Sequence, residues 1–176
     1  MSQVGSEFAK ILVHEFAPSI TAMMLATRVG AGIAAEIGSM VVTEQVDALR
    51  MCAADPIDYL IKPRFIASIV MTSCLIFWSA SVAFTSGMIT AYSFFDVPPR
   101  TFCNVSLVDV GDLAVGLSKC VAYGAAIPVV SGYCGLSTFG GSEGVGLATT
   151  RAVVNSSLAT IVLNFFISGA GFLLFP

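Results

Sequence analysis

The chain has 176 residues, of which 56% are hydrophobic and 11% charged, against about 25% charged in a soluble domain, which excludes an ordinary cytosolic enzyme. A mean hydropathy of +0.90 and apolar runs rivalling the ~20 residues needed to cross a bilayer point instead to a polytopic helical membrane protein. The net charge of -3, from 8 Lys and Arg against 11 Asp and Glu, leaves no basic surface for nucleic acid.

In chain order, Met1 to Lys10 lack a basic stretch followed by an apolar core, so no signal peptide is expected. A first apolar span covers about 11–35. His14 and Glu15 lie near its outer end, where the following Phe16, Ala17 and Pro18 predict a break in the helix and a polar group lining a cavity. The rival reading is an interfacial anchor. Ala22, Ala26, Gly30, Ala34 and Gly38 recur every four residues and form a stripe against which another helix can pack closely. Arg28 lies deeper, and its expected role is to pair with a carboxylate or free carbonyl of a neighbouring helix.

The most charged part of the chain follows, over 36–64. Val42, Val46, Leu49 and Ala53 follow i, i+4, i+7, i+11 and predict one apolar face of a helix lying outside the membrane. Asp55 and Pro56 then suit the cap and first position of a second helix. As an arbitrary loop this would be a solvated connector.

A second span is predicted at 65–92, followed by a loop at 93–109 with Pro98, Pro99 and Arg100. The third span, 110–136, carries the intramembrane Lys119 and a stripe of Gly116, Cys120, Gly124 and Gly132, with Pro128 at the same spacing, where a kink is expected. The glycine-rich 135–150 reads as a turn; it lacks the Lys-Ser/Thr of a phosphate-binding loop. A fourth span covers 152–175. Long apolar runs without ten-residue alternation predict helices, so the class is all-α membrane. Alternating spans place Arg50, Lys62, Arg64 and Arg151 on one side, which makes the charged connector cytoplasmic.

Cys52, Cys74, Cys103, Cys120 and Cys134 are odd in number and widely spaced, and His14 is the single histidine, so neither a disulfide framework nor a zinc or other metal site is supported. No nucleophile motif accompanies His14 and Glu15, and no catalytic residue is assigned. No internal repeat suggests an inverted-repeat transporter.

Five segments together, H-E-F-A-P at 14–18, R-V-G-A-G-I-A-A-E-I-G-S-M at 28–40, T-E-Q-V-D-A-L at 43–49, D-P-I-D-Y-L-I-K-P-R at 55–64 and G-V-G-L-A-T-T-R-A-V-V-N-S-S at 144–157, resemble the MlaE/YrbE permease family. The resemblance covers nearly the whole chain, which reads as a single permease domain. It implies the membrane subunit of an ABC transporter that moves phospholipid or a related lipid between membranes, working as a homodimer with a separate cytoplasmic ATPase and an MCE-domain lipid-binding protein. No cofactor is then expected in this chain, ATP and Mg belonging to the ATPase. The membrane would be a bacterial inner membrane or the inner envelope membrane of an organelle of bacterial descent.

The resemblance also assigns residues. It makes 36–64 the coupling segment, with Glu36, Glu44, Gln45, Asp47 and Leu49 matching the pattern at the ATPase contact. It makes Glu15, with His14 and Phe16, the substrate site; members commonly carry Arg before the Glu, and this chain has His. Asn164 stands where many members have Asp. Members normally have an interfacial helix and one more span before the H-E-F-A-P segment, so the chain is expected to be a shortened form or fragment, or to be completed by another chain. The rival functions are a passive channel or scaffold subunit without ATPase coupling and, with least support, an intramembrane hydrolase using His14 and Glu15.

Overall fold

The structure is a computed structural model and describes residues 4–95 and 110–174. Its helices make an all-α bundle with no strand among the described residues. Helix α1 covers 4–42 as three α-helical pieces, Val4–Ile11, Ala17–Leu25 and Ala31–Val42, joined without a break by π-helical turns at Leu12–Phe16 and Ala26–Gly30. The short α2 is Gln45–Met51. Helix α3 opens with a π turn, Ile57–Ile61, and continues as Lys62–Phe95. Helices α4, Val110–Leu136, and α5, Gly141–Leu174, complete the described residues.

Among the described residues, four stretches are long and apolar enough to cross a membrane: His14–Val42, Ile57–Ser93, Gly111–Leu136 and Gly141–Leu173. The chain is an integral membrane protein. Because the spans alternate in direction, the start of α1, the start of α4 and the end of α5 share one end of the bundle. The α1–α3 connector and the α4–α5 turn share the other.

Three boundaries differ from the sequence expectation. The first helix runs on to Val42, so Glu36 belongs to it and not to a connector. The second begins at Ile57, ahead of the expected 65. The fourth begins at Gly141, ahead of the expected 152. The glycine-rich segment is therefore mostly helix. Gly140 and Gly141, at φ +88° and +76°, complete the turn in a conformation that other residues rarely adopt. Gly144 then lies against the carbonyl of Phe139 where no Cβ fits. The expected loop with Pro98, Pro99 and Arg100, like Cys103, lies outside the described residues.

Small residues decide how the helices meet. Ala22, Ala26, Gly30, Ala34 and Gly38 are all buried. On a straight α-helix a four-residue step overshoots a full turn by about 40°, and the wider π turn at Ala26–Gly30 takes back part of that drift. A Cβ on Gly30 would lie 2.9 Å from Ser131 Oγ and 3.3 Å from Ser156 Oγ, so α1 is seated against α4 and α5 at once. On α4, Gly116, Cys120, Gly124, Pro128 and Gly132 are likewise buried, and the helix continues through Pro128. A Cβ on Gly124 would stand 2.8 Å from the Cα of Ile69, which marks where the α3 backbone crosses.

The connector turns at Thr43 and Glu44, the latter at φ 61° in the left-handed region. Helix α2 ends in a Schellman motif: Ala53 N–H donates to the Arg50 carbonyl at 3.0 Å and Ala54 N–H to the Leu49 carbonyl at 3.1 Å. Of the apolar face expected from Val42, Val46, Leu49 and Ala53, only Val46 is buried and Leu49 half-buried. The left-handed residues Glu44 and Ala53 interrupt the helical period on either side, leaving the other two exposed. Asp55 does cap the next helix, accepting from Ile57 N–H at 3.0 Å with Pro56 between them. Ala53, at φ 57°, holds the position that usually takes glycine. Ala53→Gly is therefore expected to raise stability by roughly 0.5–1 kcal/mol, read as a higher midpoint of thermal unfolding in detergent; an unchanged or lower midpoint would refute this account of the strain.

Candidate functional site

The sequence H-E-F-A-P builds one end of the bundle through its proline. Pro18 has no N–H, so the carbonyl four residues earlier, that of His14, loses its helical partner. The helix answers without breaking. It widens into the π turn Leu12–Phe16, in which Ala17 N–H bonds to the Leu12 carbonyl. The freed His14 carbonyl accepts instead from Lys119 Nζ of α4 at 2.8 Å. The break expected at this point is thus a wide turn that accommodates a cation.

Lys119 is fully buried, with 0% of its side chain exposed, and its Nζ also lies 2.8 Å from Glu15 Oε1. Helix α5 adds two further donors: Ser168 Oγ to Glu15 Oε1 at 2.6 Å, and Asn164 Nδ2 to Oε2 at 3.3 Å. The Tyr123 hydroxyl, one turn beyond Lys119, donates to Asn164 Oδ1 at 2.8 Å. His14 Nδ1 stands 3.3 Å from Glu15 Oε1. A single carboxylate thereby ties α1, α4 and α5 together in a medium where unpaired charge is costly. The basic group that meets Glu15 is thus Lys119 of α4, far from it in sequence.

Beside this cluster lies a cavity of about 410 Å³ lined by Lys10, His14, Glu15, Asp112, Val115 and Phe172 among others. Lys10 and Asp112 approach to 3.7 Å at its rim. The cavity thus presents charged groups of both signs beside aliphatic and aromatic walls. Phe16 does not line it and is 54% exposed on the helix surface.

The residues expected at an ATPase contact divide into two groups. Glu44, Gln45 and Asp47 are exposed around α2, with Asp47 bonded to Arg50 at 3.1 Å, while half-buried Leu49 faces back toward the bundle with Val46. Glu36 instead pairs with Arg64 of α3 at 2.6 Å. Arg28, expected to find a carboxylate or carbonyl on a neighbouring helix, is exposed and has no such partner among the described residues.

Sequence reasoning brought His14 and Glu15 forward as a pair but did not join Lys119 to them, and it left Tyr123 and Ser168 out. The signal was present as polar residues one turn apart within apolar spans, Lys119 with Tyr123 and Asn164 with Ser168. Such pairs share a helix face.

Fold and site together define a polytopic membrane protein with an ionic centre between its spans. The chain matches the family described as Permease MlaE over residues 1–170, and it belongs to that family. It is 41% identical over 167 residues to a probable ABC transporter permease protein of Synechocystis sp., covering 94% of this chain and 64% of the relative. A probable ABC transporter permease protein of Rickettsia bellii is 37% identical over 169 residues, covering 95% and 65%. Protein TRIGALACTOSYLDIACYLGLYCEROL 1, chloroplastic, of Arabidopsis thaliana is 36% identical over 179 residues, covering 96% and 50%. The chain therefore spans a little under two thirds of these bacterial relatives and half of the plant one.

Proposed function

We propose that the chain works in an ABC transporter that moves phospholipid or a related lipid between membranes, driven by a separate ATPase that binds the ATP and Mg. The observation that carries this reading is the cavity at the Glu15–Lys119 centre, where charged groups and apolar walls meet as an amphiphile requires. Glu15 is committed to Lys119, Ser168 and Asn164, so headgroup contacts fall to His14, Lys10 and Asp112 at the open side. The name of the Arabidopsis relative, which is that of a galactosylated diacylglycerol, supports the substrate class. Two copies and an MCE-domain protein complete the assembly, with the connector on the cytoplasmic side. The exposed Glu44, Gln45 and Asp47 then offer the ATPase a polar docking edge held in place by Val46.

The chain, gently solubilised from its native membrane and captured, is expected to carry an ABC ATPase and bound diacyl lipid with it. Reversing both Glu44 and Asp47 to Arg should remove the ATPase while leaving helix content and the lipid signal unchanged. Capture of the folded chain with neither ATPase nor lipid would overturn the proposal in favour of a passive subunit.

A further inference from the structure

The end of the bundle opposite the Glu15 centre holds a second polar recess. A groove of about 420 Å³ runs between the end of α4 and the start of α5, with Tyr133 and Ser137 on one wall and Leu147, Arg151 and Asn155 on the other. Buried Gly144 and Ala148 leave room for it. Tyr133 lies about 21 Å along α4 from Lys119, and the groove shares no lining residue with the cavity beside Glu15.

The charge of the groove is of one sign. Arg151 is exposed and has no acid or carbonyl partner among the described residues. No Asp or Glu lines the groove, and Glu143 lies about 12 Å back along α5 from Arg151. The Tyr133 and Ser137 hydroxyls are likewise unpartnered among the described residues, and Asn155 Nδ2 finds only Cys134 Sγ, a weak acceptor, at 3.8 Å. A guanidinium, two hydroxyls and an amide therefore share one recess with donors to spare, a set that suits a phosphate. What continues from Arg151 is apolar. Val154, Leu158, Ile161 and Phe165, each more than half exposed, lie on its face of α5 at alternating steps of three and four residues. From Arg151 to Phe165 is about 21 Å of helix. That is half the ~40–45 Å thickness of a bilayer with its headgroups, the length of one lipid.

We propose that this groove and track bind a resident anionic phospholipid of the surrounding membrane, with its phosphate on Arg151 and a chain laid along Val154 to Phe165. A zwitterionic lipid fits less well, because the groove offers no acid to its amine. A soluble phosphate ester would leave the track uncovered. A second copy, related by a two-fold axis along the bundle, would bring two Arg151 side chains together at one level. The site is distinct from the Glu15 cavity, and the inference holds whatever the permease transports.

The test places the chain, with the subunits it retains on purification, in phosphatidylcholine nanodiscs containing a small fraction of phosphatidylglycerol that carries a diazirine on one acyl chain. Illumination followed by peptide mapping is expected to find the label on 147–165, at about ten times the yield given by phosphatidylcholine bearing the same diazirine. Arg151→Gln should lower that yield about tenfold, the loss expected of one charge-assisted hydrogen bond, and Arg151→Lys should lower it less. Label on the exposed Phe77 and Trp78 of α3 should stay constant, which shows that the variants remain folded and embedded. Excess glycerol 3-phosphate separates the two sources of phosphate and is expected to displace nothing. Equal yields from the two lipids, a yield indifferent to Arg151→Gln, displacement by glycerol 3-phosphate, or no label on 147–165 because protein covers it would each overturn the proposal. Binding is read without transport, so failure here leaves the reading of the Glu15 cavity standing.

Discussion

Lys119→Met is expected to destabilise the bundle by about 3–5 kcal/mol, the usual result of removing one member of a buried ion pair. Methionine fills the space of the lysine stem, so packing is nearly preserved and the loss is electrostatic. It strands the His14 carbonyl, whose helical donor Pro18 has already removed, and it leaves the Glu15 carboxylate with neutral donors alone. Glu15→Gln is expected to cost less. The Glu15 side chain is 37% exposed where Lys119 is wholly enclosed, and an amide can still accept from Lys119 and Ser168. Unfolding titrations of both single variants and the double variant measure the coupling. A double variant no less stable than Lys119→Met alone is the expected outcome, and purely additive losses would show that the two groups act independently.

Gly124→Val should part α3 from α4. The nearest atom to the added Cβ is the Ile69 Cα at 2.8 Å, with the Ser68 carbonyl oxygen at 3.4 Å, and a backbone inside a long helix cannot rotate away as a side chain can. Overpacking of this kind costs about 1–3 kcal/mol for small additions, and two further methyl groups take valine to the top of that range. Gly146→Ala serves as the contrast. A Cβ there meets nothing within 4 Å, so the substitution is expected to be neutral or to gain up to about 1 kcal/mol from helix propensity. Protease sensitivity of the 43–56 connector, alongside thermal unfolding, checks both. Equal behaviour of the two variants would refute the assigned helix crossing.

The apolar runs made the number and class of the helices legible, because hydrocarbon demands long, internally bonded segments, and the third span coincides with α4. The stripes on α1 and α4 were legible for a similar reason: a missing side chain repeated at helical spacing has few uses other than close packing. What stayed hidden depends on single backbone conformations. Gly140 and Gly141 complete the turn within a segment whose remaining glycines are helical, and nothing in composition separates the two uses. The site was visible in two pieces, the His14–Glu15 pair and Lys119. His14, Glu15 and Lys119 each stood out as a charge in an apolar run. The arrival of Lys119 beside the other two depends on the tertiary contact of α1 with α4 and on a carbonyl vacated by Pro18, which no periodicity announces.

The π turns of α1 also govern how this helix tolerates a change of length. Each holds about one residue more than an α-helical turn over the same rise. Deleting one residue inside 26–30 can be absorbed by closing that turn to ordinary α geometry, so the segments before and after it keep their facing. The same deletion in Ala31–Val42 has no such slack. It would rotate everything beyond it by about 100° and turn the small-residue stripe out of the bundle. Single-residue insertions and deletions among homologous permeases should accordingly collect at the wide turns and be absent between them.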